Sequence, residues 1–205
     1  MANCGFYLLL FLSFHYFNPA TSDPTVSASD FIKAACKTTR FYALCVTSLA
    51  PYSNTIQQSE RQLVRAALTV ALSKAQSTKL FVAKFSNSTG LNPRESQALK
   101  DCKDNMVDSF DQLSQSMQEL ARLNNQVTSR DFTWHMSNVQ TWVSAALTDE
   151  STCLDGFSGS YMNGKVKAPI TRRVVYVAQV TSNALALINR FAATRHRSGS
   201  TSNAP

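Results

Sequence analysis

Apolar residues recur at steps of three and four along the second half of this chain, with polar residues filling the positions between them. Leu99, Cys102, Met106, Phe110, Leu113, Met117 and Leu120 form one stripe, and Phe132, Met136, Val139, Val143 and Ala146 form another. Ile170, Val174, Val177, Thr181, Ala184, Ile188 and Phe191 form a further one, opened by Pro169. At 3.6 residues per turn this spacing puts each set on one side of a helix, so each stripe predicts a helix with one buried face. Upstream, no Gly or Pro occurs from Thr55 to about Ser86, where Leu63, Ala67, Val70 and Lys74 through Phe81 keep the same rhythm. That stretch predicts the first long helix.

Punctuation between the stripes agrees with them. The first helix should break at Ser86, Asn87, Ser88, Thr89 and Gly90. The next has a start signal in Asn92 as N-cap, Pro93 at the first position and Glu95 three residues after the cap. Gly156 to Ala168 reads as a Gly-containing loop, and the polar end after Ala193 reads as a disordered tail. Before the first helix, the Ala-rich segment from Ser27 to about Ala50 suits two short helical pieces folded back on each other. The expected fold is all-α: an up-down-up-down four-helix bundle with an N-terminal helical hairpin and two disulfides. Its expected boundaries are 1–22 for a signal peptide, 23–197 for the bundle domain and 198–205 for the tail.

The signal peptide rests on a charge-free start. Residues 1–22 hold no Lys, Arg, Asp or Glu, and the run Phe6, Tyr7, Leu8, Leu9, Leu10, Phe11, Leu12 precedes the small residues Ala20, Thr21 and Ser22. No later segment suggests a membrane contact after cleavage, so the mature chain is expected to be secreted and soluble. Cleavage also removes Cys4 and leaves Cys36, Cys45, Cys102 and Cys153, an even set suited to an oxidising compartment. Three pairings are open. The close spacing of Cys36 and Cys45, and the distance of both from Cys102 and Cys153, favour a local bridge plus a long-range one. Asn87, Ser88, Thr89 is an N-x-S/T sequon in an expected loop, so Asn87 is a candidate glycosylation site.

The net charge of +7 remains on the mature chain and favours polyanions. Lys and Arg are scattered rather than gathered in an aromatic-studded stripe, which argues against nucleic acid. In an extracellular setting the polyanion need not be nucleic acid.

Catalytic chemistry has no obvious carrier. Gly156, Phe157, Ser158, Gly159, Ser160 fails the G-x-S-x-G pattern at its last position, and no phosphate loop exists. His135 and His196 form no ligand-spaced pair and no C-x2-C occurs, so neither a metal nor a cofactor is expected. His135 flanks Met136 and reads as a packing or surface residue, and Trp142 flanks Val143 and reads as bundle packing rather than a sugar-binding platform. Met106, Met117 and Met136 read as core filling. Asp101, Asp104, Asp108 and Asp111 recur at helical steps beside the apolar seam. Such a row is either a solvated face or, in a basic protein, a surface that recognises a partner.

Several segments resemble one family, the plant invertase and pectin methylesterase inhibitors. They are the Cys36 to Cys45 spacing; Leu99, Lys100, Asp101, Cys102, Lys103, followed by Asp108, Leu113 and Ser116; and Trp142 to Asp149 running on through Thr152, Cys153, Leu154, Asp155, Gly156, Phe157. Ser182, Asn183, Ala184, Leu185, Ala186, Leu187 also resembles the family's last helix. The resemblance spans about Ser27 to Ala193. It implies a hairpin closed by the first bridge, and a bundle whose second and third helices are tied by the other. It also implies a protein that is not an enzyme but binds one stoichiometrically, covering the pectin-binding cleft of a pectin methylesterase in the apoplast and cell wall, where the basic charge suggests a weak, salt-sensitive electrostatic association with pectin as well. Carried over by position, Asp108 and Asp111, with Thr152 and Asp155, would contact the esterase. Met106 and Ser109 stand where the family often has Tyr and Ala.

Ser144 to Phe157 is most like esterase inhibitors and the inhibitory pro-regions of esterases, and the Pro-Lys-Phe tripeptide associated with invertase inhibitors is absent. A free esterase inhibitor is therefore expected. An inhibitor of acid invertase is the alternative, and a secreted helical carrier of a small apolar ligand is a third reading. An apolar cavity would distinguish the carrier.

Overall fold

A computed structural model describes residues 27–86, 88–123, 127–159, 162 and 165–200, with side chains to 194. The expected signal peptide, Asn87 and residues 201–205 lie outside the described residues.

Two short helices come first, α1 at Ala28–Cys36 and α2 at Tyr42–Leu49. The hydroxyl oxygen of Ser27 caps α1 by accepting from Asp30 N at 3.1 Å. Cys36 is bonded to Cys45, which closes the hairpin across a sequence separation of 9. Its turn is held from the other end of the chain. The Asn183 amide accepts from Phe41 N at 3.1 Å and donates to Phe41 O at 3.0 Å, satisfying both backbone groups of the residue that opens α2.

A one-turn helix, α3 at Ser53–Ile56, follows a short 3₁₀ turn. The first long helix, α4, then runs over Glu60–Ser86 and does not begin at Thr55 as the Gly- and Pro-free stretch suggested. The interruption is at Gln57, whose φ of 49° ends α3, and the chain restarts from Ser59. Helix α5 spans Pro93–Arg122 and carries the expected capping box, with Asn92 Oδ1 accepting from Glu95 N at 2.9 Å and Glu95 accepting from Asn92 N at 3.1 Å. Gly90, at φ 79°, supplies the left-handed turn before it. Helix α6 covers Ser129–Asp155, capped by Thr128, and α7 covers Lys167–Ser200 with Pro169 in its first turn. Helix α7 thus continues past Ala193.

The four long helices close a ring in which α4 packs on α5, α5 on α6, α6 on α7 and α7 on α4. All members of the Phe132 and Ile170 stripes are buried, and Phe132 meets Phe191 edge-on at 5.5 Å. In the Leu99 stripe Phe110 and Met117 are only partly buried, because they lie toward the α4 flank, where the Lys79 ammonium covers the Phe110 ring at 3.7 Å. Trp142 is half-buried.

One core position holds a carboxyl group. Glu150 continues the third stripe one turn beyond Ala146 and is 0 % exposed. Its Oε1 accepts from Ser109 Oγ at 2.8 Å and from Thr181 Oγ1 at 3.0 Å, so one oxygen joins α5, α6 and α7. Burial, against these two hydrogen bonds, pushes its pKa up to about 8. The second long tie is covalent, since Cys102 of α5 is bonded to Cys153 of α6 across 51 residues.

These ties generate two expectations. Glu150 titrates higher in the fold than when unfolded, so the stability it supplies is complete below pH 4.5 and is lost as pH rises through about 8. Denaturant midpoints of the protein and of Glu150→Gln should therefore be close at low pH. By pH 8 the Gln variant should be the more stable by a few kcal/mol, with a ceiling on the order of 5 kcal/mol. Equal pH slopes for the two proteins would contradict this. Replacing both Cys102 and Cys153 by Ser should cost about 4 kcal/mol of unfolding free energy, measured by denaturant titration, from loop entropy alone.

A candidate partner-binding face on α5 and α6

The apolar seam of α5 turns inward, and this decides what faces solvent. Asp101, Asp104, Asp108 and Asp111 are all exposed, so the acidic row is an outer surface of the bundle. Opposite it in sequence, and antiparallel in space, α6 is aligned by three contacts. Cys102 meets Cys153, Ser109 meets Glu150, and Glu119 meets His135 and Asn138. Within this register Asp108 lies beside Asp149, and Asp101 and Asp104 lie level with the last turn of α6.

That last turn carries Thr152 and Asp155, both exposed. Thr152 Oγ1 donates to Thr148 O at 2.9 Å within its own helix. The main-chain carbonyl of Asp155 receives Ser158 N at 3.0 Å and Ser158 Oγ at 2.8 Å, which folds the chain over after the helix. Phe157 is then buried in the core, so the end of α6 is anchored by a ring as well as by sulfur. Asp108 and Asp111 stand one turn apart on α5, and Thr152 and Asp155 one turn apart on α6, all on the outer side of the same helix pair. The register does not bring all four together. The cross-contacts place residues 103 to 107 of α5 level with Thr152, so Asp111 stands one to two turns farther along the pair.

The electrostatics follow from crowding. Burial raises the Asp149 carboxyl above the ordinary value, the Asp108 charge raises it further, and a hydrogen bond from Gln112 opposes both. At the other end of the face Glu119 is 3 % exposed, yet three donors surround it. His135 Nδ1 lies 2.8 Å from its Oε1, Asn138 Nδ2 donates to the same oxygen at 2.9 Å, and Arg122 lies 3.1 Å from Oε2. Burial would raise this carboxyl, but the hydrogen bonds from Asn138 and His135, with the charge of Arg122, outweigh it and hold it below the usual range. His135 therefore has a structural role in the α5–α6 contact.

Trp134 is 67 % exposed and lies eighteen residues, five full turns, before Thr152, so it stands on the same outward line of α6. Neither the exposure of Trp134 nor the buried carboxyl of Glu119 emerged from the sequence. The signal for Trp134 was available, since it falls between the stripe positions Phe132 and Met136. Among the described residues no cluster of His, Cys, Asp or Glu could hold a metal ion, and no helix is long and apolar enough to cross a membrane.

Comparison with known proteins gives this arrangement a family. A sequence profile described as plant invertase/pectin methylesterase inhibitor matches residues 30–187. Pectinesterase inhibitor 9 of Arabidopsis thaliana is 50% identical over 192 residues, covering 92% of this chain and 94% of that protein. Pectinesterase inhibitor 11 of the same plant is 45% identical over 174 residues, covering 85% and 86%. A crystal structure of a mutant form of a pectin methylesterase inhibitor from Arabidopsis superposes with a TM-score of 0.62 over 77% of this chain and 95% of that one, at 19% identity, a likeness of fold. With the profile spanning hairpin and bundle alike, and relatives this similar along nearly their whole length, the chain belongs to the plant invertase/pectin methylesterase inhibitor family.

Proposed function

We propose that this chain inhibits pectin methylesterase by binding it one to one, laying the outer face of α5 and α6 over the enzyme's pectin-binding cleft and performing no catalysis itself. The observation that carries the reading is the acidic row on α5, exposed on a protein of net charge +7. Steps of three and four on a helix space its carboxylates about 5 Å apart, the charge pattern of an acidic polysaccharide chain, and a cleft that accepts such a chain would be complementary to it. The ties between α5 and α6 keep that row rigid, which lowers the ordering cost of binding.

Asp108, Asp111, Thr152 and Asp155 are the proposed contacts, and Trp134 extends the face as an aromatic anchor. From Trp134 to Thr152 the face measures about 27 Å, close to the breadth of a standard protein interface. The names of the two Arabidopsis relatives support the esterase as target. Cys36, Cys45, Cys102 and Cys153 are all in disulfides, which supports an extracellular site of action in the cell wall after loss of residues 1–22. The carrier reading gains nothing from the cavity under the hairpin, lined by Cys45, Leu49, Ala67, Val180 and Leu187, because its volume of about 10 Å³ barely admits one water.

Titrating the oxidised chain into a pectin methylesterase assay should drive activity to a plateau near equimolar ratio, while acid invertase in a parallel assay is unaffected. Inhibition of invertase alone would move the target to the other arm of the family, and no effect on either enzyme would remove the inhibitor reading. Asp108→Asn and Asp155→Asn should each weaken esterase inhibition by roughly tenfold with helical content unchanged by circular dichroism.

A further inference from the structure

The half of the bundle turned away from α5 and α6 has the opposite electrical character. Along α4 the single acidic residue is Glu60, and its carboxylate is held by Arg190 at 2.6 Å. Helix α7 contains no acidic residue in its whole length. Between the two helices lies a cleft of about 280 Å³ lined by Lys74, Ser77 and Thr78 on one side and Arg172, Arg173 and Tyr176 on the other. A second cleft of about 280 Å³ adjoins it toward the hairpin and shares Lys74 and Tyr176, so the two form one elongated groove.

The cations in this groove are placed by aromatic rings. Lys74 Nζ stands 5.6 Å from the centroid of Tyr176, and the Arg173 guanidinium lies 4.0 Å over Phe81. Among the described residues none of Lys74, Arg172 and Arg173 pairs with a carboxylate. Three unneutralised cations in one concavity repel each other and concentrate anions there. Tyr176 is 37 % exposed and offers a flat apolar surface between them, with Ser48, Ser73 and Ser77 supplying hydroxyls along the groove.

We propose that this α4–α7 groove binds an oligosaccharide of uronic acids, its carboxylates held by Lys74, Arg172 and Arg173 and one sugar ring resting on Tyr176. Arginine forks suit carboxylates bidentately. A groove with hydroxyls and an exposed ring fits a chain of several sugars better than a single inorganic anion. In one respect the inference rests on the inhibitor reading: hydrolysis of a pectin methyl ester by water releases methanol and leaves a carboxylate. The ligand of this groove is then the product of the enzyme that the opposite face blocks, and the inhibitor would be retained where the esterase has already acted.

The test is calorimetric titration of the full oxidised chain with an oligogalacturonate of defined length, the same oligomer fully methyl-esterified, and dextran sulfate. The free acid should bind, and the ester should bind at least about tenfold more weakly, since it offers no charge-assisted hydrogen bonds. Combined Lys74→Gln, Arg172→Gln and Arg173→Gln should weaken the free acid by at least about tenfold as well. Tyr176→Ala should weaken oligogalacturonate while leaving dextran sulfate unchanged, a readout that diffuse attraction between a basic surface and any polyanion would not give. Equal binding of acid and ester, an unaffected triple variant, or a preference for dextran sulfate would overturn the proposal. Esterase inhibition by the triple variant should be unchanged. Binding without any esterase inhibition by the parent protein would remove the inhibitor reading and leave the groove standing, whereas inhibition without oligogalacturonate binding would remove the groove alone.

Discussion

Two amphipathic helices can slide past each other by a turn or a heptad and still bury most of the same apolar surface, so packing alone specifies their register weakly. The Cys102–Cys153 bridge removes that freedom from α5 and α6. Glu150 with Ser109, and Glu119 with His135 and Asn138, then reinforce the same alignment at the middle and far end of the pair, through polar contacts that a one-turn slip would break. Everything proposed for the outer face depends on this alignment, because it sets which residues of α6 stand beside the acidic row of α5. The surrounding helices add burial, but the register is decided here.

Glu150 also shows how a core can be specific at a cost. A fully buried carboxyl group with one oxygen satisfied by two hydroxyls contributes less at neutral pH than an apolar side chain of similar volume would. In exchange it ties together three helices that apolar contacts would leave free to adjust. Its neutral form is the one the fold accommodates, so this group's own contribution is greatest in mildly acidic surroundings.

The helical architecture was legible because the apolar spacing was regular. The Phe132 and Ile170 stripes are buried at every position named, and the Asn92–Glu95 box forms as written. The exposure of Asp101, Asp104, Asp108 and Asp111 followed from the same periodicity. The start of α4 was misplaced because Gln57 adopts a positive φ without the glycine that normally announces one. Glu150 is hard to recognise as a core position because it is a charged residue at the end of an apolar stripe, although the four-residue step from Ala146 and the three-residue step to Cys153 continue it. The roles proposed for Thr152 and Asp155 rest on family resemblance alone, since nothing in local spacing separates a partner contact from an exposed helix end. The basic groove could not be seen in one dimension: it needs α4 and α7 to be neighbours, and only the closed ring of four helices makes them so.

The contact of Asn183 with Phe41 bears on the order in which the molecule is assembled. The Cys36–Cys45 loop is short and can close once those residues reach an oxidising compartment, with no distant part of the chain required for the bond itself. The backbone groups of Phe41, however, find their partner 142 residues later in the chain. During synthesis from the N-terminus the first element to emerge is therefore among the last to be seated, and until α7 follows that turn is exposed to water or to whatever chaperone holds the growing chain.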